Sequence, residues 1–132
     1  MEKLDSILLI DDDDISNFIN IRLLHKMNLV NDIATVHNGD QALRYIDSIQ
    51  EKGGKLPQLI LLDLSMPVMD GFDFLSEFEK LDLPDKKAIS IAILSSSIYS
   101  QDISRLKEYN IAGVLKKPLT YSQMANLIHQ DY

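Results

Sequence analysis

Five short apolar runs punctuate this chain, and the gaps between them leave room for a helix after each. The runs are Ile7-Leu8-Leu9-Ile10, Ile33-Ala34-Thr35-Val36, Leu59-Ile60-Leu61-Leu62, Ile91-Ala92-Ile93-Leu94 and Val114-Leu115. The first and third are apolar at every position, so both faces of a strand built from them need cover. Periodicity alone does not separate such a run from a piece of buried helix. Their shortness and the polar residues that follow them favour strands.

Between the runs the spacing becomes helical. Ile15, Phe18, Ile19 and Leu23 give one apolar face to a helix starting near Asp14. Ala42, Leu43, Ile46 and Ile49 repeat the pattern, as do Phe74, Leu75 and Phe78. A fourth helix is expected over about 101–109, on Ile103 and Leu106. The last begins at Thr120, where Thr120-Tyr121-Ser122-Gln123 has the form of a capping box and Met124, Leu127 and Ile128 supply the apolar stripe. Gly53-Gly54 before Pro57 is the strongest break. Strict strand–helix alternation predicts an α/β doubly wound sheet with right-handed crossovers. The 132 residues suit one domain, with no repeat or linker visible. We expect a single domain over 1–132 with no output domain.

Composition excludes several function classes. With no cysteine there is no disulfide, thiolate metal site or cysteine nucleophile. A net charge of −7, from 13 basic and 20 acidic side chains, makes the chain a poor direct binder of nucleic acid. Its start, Met1-Glu2-Lys3-Leu4-Asp5, does not have the form of a secretory signal. The longest apolar runs, of four residues, are far too short to span a membrane, so a cytoplasmic location is expected.

In doubly wound sheets, chemistry gathers at the carboxyl ends of the strands. Asp11 and Asp12 follow the first strand, Asp63 the third, Ser95 to Ser97 the fourth, and Lys117-Pro118 the fifth. Carboxylates brought about 4 Å apart repel by roughly 4 kcal/mol at an effective dielectric near 20, so a cluster gains protons or holds a cation. Oxygen-only ligands suit Mg²⁺. Asp13 or Asp14 has a plainer reading as the cap of the helix that begins there. Asp63 could equally be a strand-ending residue bonded to its own loop, yet a carboxylate beside a metal can also attack phosphorus and become an acyl phosphate. Pro67 stiffens the loop after Asp63, and Gly71 permits unusual backbone geometry. Strand alternation turns only one of Lys116 and Lys117 inward, and the lysine next to Pro118 is the better choice, through a cis peptide.

Four stretches, ILLIDDDD at 7–14, LILLDLSMPVMDGF at 59–72, AILSSS at 92–97 and VLKKPLT at 114–120, together resemble the response-regulator receiver domain of two-component signalling. The likeness runs along essentially the whole chain. It implies a flavodoxin-like sheet of five parallel strands in the order 2-1-3-4-5 with five helices. It implies that Asp63 accepts a phosphoryl group from a histidine kinase or phosphotransfer protein, with Lys117 and Ser95 as its catalytic partners. Mg²⁺ would be held by Asp12, Asp63 and the Ser65 backbone carbonyl, with Asp11 acting mainly through water. The domain would catalyse only its own phosphorylation and dephosphorylation. It would signal by phosphorylation-dependent contact with a downstream protein the sequence does not name, as a monomer or weak dimer.

Two positions depart from the usual family pattern. An aromatic on strand five often rotates inward in the family; here that position is Val114, with no ring to rotate. Tyr99 and Tyr109 are nearby in sequence, but nothing in it shows that either substitutes. Ser65 and Ser97 occupy the positions that tune hydrolysis in the family, and neither is an acid or amide suited to orient water, so slow to moderate self-dephosphorylation is expected. Three other readings compete. A constitutive adaptor with a vestigial site would not need all five site residues. An aspartate-nucleophile phosphatase of the haloacid-dehalogenase kind finds its Asp-x-Asp spacing in Asp11-Asp12-Asp13 but gives Asp63 no purpose. A flavin carrier needs a phosphate loop where four aspartates would repel the phosphate.

Overall fold

The computed structural model describes residues 3–64, 66, 69–96 and 99–131. The elements alternate as β1 (Leu4–Ile10), α1 (Asp14–Met27), β2 (Val30–Val36), α2 (Gly39–Glu51), β3 (Leu59–Leu62), α3 (Gly71–Lys80), a short 3-10 turn (Lys86–Ala88), β4 (Ser90–Ser95), α4 (Ser100–Leu106), β5 (Gly113–Lys116) and α5 (Tyr121–Asp131). The strands are all parallel and lie in the order β2-β1-β3-β4-β5. This is the flavodoxin-like topology expected above.

Alternation along the strands makes two cores. Ile7 and Leu9 of β1, Leu59 and Leu61 of β3, and Ala92 and Leu94 of β4 face one side, where Leu24 of α1 and Met124, Leu127 and Ile128 of α5 cover them. Leu8 and Ile10, Ile60 and Leu62, and Ile91 and Ile93 face the other, under Ala42 and Ile46 of α2, Phe74, Leu75 and Phe78 of α3, and Leu106 of α4. Every residue of β3 is buried, as a central strand with helices on both faces requires. Among the described residues no helix is long and apolar enough to cross a membrane.

Of the apolar stripe read on α1, Leu23 packs against the core but the other three residues do not. Ile15 is 72%, Phe18 60% and Ile19 50% exposed, whereas Asn17, Asn20 and Leu24 are buried. The inward side instead carries Leu24, with Ile21 and Met27 packed against the core beside it, and on that side the Asn17 side chain donates to Asp11 O. α4 is shorter than the spacing suggests, ending at Leu106; that residue is buried while Ile103 is about half exposed.

Candidate functional site

Strand register assembles the site. Ile10 of β1 lies beside Leu62 of β3, so Asp11 and Asp63, the next residues, emerge side by side. The Asp63 N–H extends the ladder by donating to Ile10 O at 2.9 Å, and the Asp11 N–H donates to Val36 O at 3.0 Å. Ser95 ends β4 opposite Lys116, and its carbonyl accepts from the Lys117 N–H at 2.9 Å.

Three carboxylates converge there. Single oxygens of Asp11, Asp12 and Asp63 all lie within 4.8 Å of one another. Asp11 and Asp63 are buried, at 4% and 7% exposure, and Asp12 is open to solvent. This oxygen-only set, partly shielded from water and with one face open, is compatible with a hard divalent cation that keeps some of its waters.

Lys117 is the cation in the cluster. Its Nζ lies 2.5 Å from Asp11 Oδ2 and 3.4 Å from Asp63 Oδ2. The Lys117–Pro118 peptide is cis, and it is Lys117, not the exposed Lys116, that turns inward. Burial by itself lowers the Lys117 pKa, but the hydrogen bond to Asp11 and the charges of Asp63 and Asp11 outweigh it and hold the ammonium above its ordinary value. Ser95 is buried beside this group.

The surrounding loops are built to hold these side chains. Asp13 caps α1 by accepting from the Ile15 N–H at 3.0 Å, and its own N–H donates to Asp11 Oδ1 at 2.9 Å. Asp14 pairs with His37 at 2.9 Å on the surface. Of the four aspartates, Asp13 is thus the helix cap and Asp14 a surface partner, while Asp11 and Asp12 belong to the cluster. Thr120 and Gln123 form the expected capping box, and Gln123 Nε2 also donates to Lys116 O at 3.1 Å, which ties α5 to the end of β5. At Gly71 a Cβ would stand 2.7 Å from both Asp63 O and Leu64 Cα, so a side chain there would push the Asp63 backbone aside.

Sequence reasoning missed Asn17. It is buried, and its Nδ2 donates to Asp11 O at 3.0 Å, holding the turn from which Asp11 and Asp12 project. An asparagine in the first turn of α1 gave no signal against its apolar neighbours. The Ser65 carbonyl, expected as a metal ligand, lies outside the described residues, as do Pro67 and Ser97. Val114 is half exposed on β5, Tyr109 is bonded to Ser76 at 2.9 Å, and Tyr99 lines a cavity of about 490 Å³ beside Ser95.

Known proteins share this architecture. The response regulator receiver domain matches residues 7–129. A two-component response regulator from Cytophaga hutchinsonii superposes with a TM-score of 0.89 at 30% identity, over 98% of each chain. The phosphorylated cyanobacterial phytochrome response regulator RcpA gives a TM-score of 0.75 at 26% identity, over 98% of this chain and 91% of that one. The probable methanogenesis regulatory protein FilR2 of Methanothrix harundinacea is 26% identical over 94% of this chain and 79% of its own length. With this fold, this cluster and these relatives, the chain belongs to the receiver-domain family of two-component response regulators.

Proposed function

We propose that Asp63 is the phosphoacceptor of this receiver and that its phosphorylation is the signal passed to a protein partner. The observation that supports this most is the meeting of Asp11, Asp12 and Asp63 within 4.8 Å, with Lys117 bridging Asp11 and Asp63. An Asp63 oxygen forms the new O–P bond as the N–P bond of a donor phosphohistidine breaks, and the imidazole leaves with the bonding pair. A histidine kinase or a phosphotransfer protein supplies that donor. Asp11, Asp12 and Asp63 would hold Mg²⁺, which neutralises charge on the transferring phosphoryl oxygens when bound. Lys117 supplies a second positive charge, and the Ser95 hydroxyl would donate to a phosphoryl oxygen. Phosphorylation adds negative charge and acceptor oxygens at the sheet edge, next to the Tyr99-lined cavity, and that change alters the surface a partner meets.

Acetyl phosphate with Mg²⁺ tests this without a kinase. Intact mass should rise by one phosphoryl group, about 80 Da, in the wild type and not in Asp63→Ala. No gain in the wild type, or an equal gain in the variant, removes Asp63 from this role.

A further inference from the structure

We propose that Gly39, which contributes no atom to the acidic cluster, positions the loop after Asp63 by giving Met69 a seat on the end of α2. The inference rests on the reading of Asp63 as phosphoacceptor and extends it to a residue on another element.

Gly39 is the first residue of α2 and is buried. Its helical backbone would accept any L-residue, and alanine would favour the helix more than glycine does. Local preference therefore does not account for a glycine here. Its surroundings do. A Cβ at Gly39 would stand 2.8 Å from Met69 Cγ and 2.9 Å from Met69 Sδ, with Phe74 Cβ at 3.1 Å. The Gly39 N–H also donates to Met69 O at 3.1 Å. So the backbone of Met69 is bonded to the same residue whose missing side chain admits its thioether.

The seat itself is firm. Asn38 caps α2 by accepting from the Gln41 N–H at 2.9 Å, and Gln41 Oε1 accepts from the His37 N–H at 2.8 Å. Among the described residues, two backbone hydrogen bonds hold the loop. Near its start and end the Gly71 N–H donates to Leu64 O at 3.1 Å, and at Met69 it is bonded across to α2. Among the described residues between Asp63 and Gly71, Met66 packs against the core and Met69 is bonded to the end of α2. A methyl group at Gly39 would push Met69 away and slacken the backbone that leads back to Asp63.

The test is a cycle of Gly39→Ala, Met69→Ala and the double variant. Three readouts are taken: Mg²⁺ affinity by calorimetry, the rate of phosphorylation by acetyl phosphate at saturating Mg²⁺, and amide exchange at Gly71. Gly39→Ala should weaken Mg²⁺ binding at least fivefold, slow phosphorylation on the order of tenfold and speed Gly71 exchange. Adding Met69→Ala removes both clashing atoms and should restore at least half of each loss. Wild-type values in Gly39→Ala overturn the proposal, and so do losses that the second substitution leaves unrepaired. A variant with reduced thermal stability but unchanged Mg²⁺ affinity and Gly71 exchange also overturns it, since that is the mark of a merely structural glycine. The exchange arm needs no chemistry. If the wild type takes no phosphoryl group, the reading of Asp63 fails, while Gly71 exchange still decides the role of Gly39.

Discussion

The Lys117 ammonium lies closer to Asp11, at 2.5 Å, than to Asp63, at 3.4 Å. In the resting site its main partner is therefore the carboxylate of β1's turn and not the proposed acceptor. Removing it strands two buried carboxylates. We predict that Lys117→Met lowers stability by about 2 kcal/mol without metal, less than a fully buried pair because the lysine is partly solvated. Added Mg²⁺ should shrink that deficit. Urea unfolding of both proteins, with and without MgCl₂, measures it, and an equal deficit in both buffers would contradict the shared role of the two cations.

The same contacts set a pH dependence. Lys117 titrates above its ordinary value in the folded state because Asp11 and Asp63 outweigh its burial. Its stabilising contribution is complete below the unfolded-state lysine pKa, about 10.4, and is lost as pH rises through the higher folded value. Wild type should lose more stability than Lys117→Met between about pH 10 and pH 12. Unfolding midpoints across that range, compared between the two proteins, provide the check; parallel curves would refute it.

Crowding of the carboxylates gives a third outcome. Asp12 is the open member of the cluster. Asp12→Asn should weaken Mg²⁺ binding at least about tenfold and leave the metal-free protein as stable as the wild type or more so, by up to about 0.5 kcal/mol given its exposure. Calorimetric titration with Mg²⁺ and metal-free unfolding separate the two effects.

Asn17 and the outer face of α1 form a contrasting pair. Asn17→Ala deletes a buried bond to Asp11 O and should cost about 1–2 kcal/mol, together with a loss of Mg²⁺ affinity. Phe18→Ser, at a position 60% exposed, should change stability by no more than about 0.5 kcal/mol. Leu24→Ala, wholly buried on the inner side of the same helix, should cost about 2–5 kcal/mol. Chemical denaturation of the three variants ranks the faces, and a large cost at Phe18 would mean that α1 is turned the other way.

That helix also marks where sequence reading reached its limit. The strands were legible because Ile7–Ile10 and Leu59–Leu62 are apolar on both faces, short, and followed by polar residues, which together favour a covered central strand over buried helix. The cluster was legible because Asp11, Asp63 and Lys117 directly follow strands, and register then brings strand ends together. The orientation of α1 was not, because spacing reports which residues share a face and not which way the face points. The inward side carries Ile21, Leu24 and Met27, with Asn17 bonded to Asp11 O. The seat at Gly39 was equally hidden: a glycine at a helix start is ordinary until Met69 is seen against it.

β5 brings its lysine to the sheet last in chain order, at the edge farthest from β2. During synthesis the aspartates of β1 and β3 leave the ribosome well before residue 117 does, and N-terminal portions organise first. Until residue 117 has emerged, the carboxylates that follow β1 and β3 lack the ammonium that bridges two of them in the finished fold.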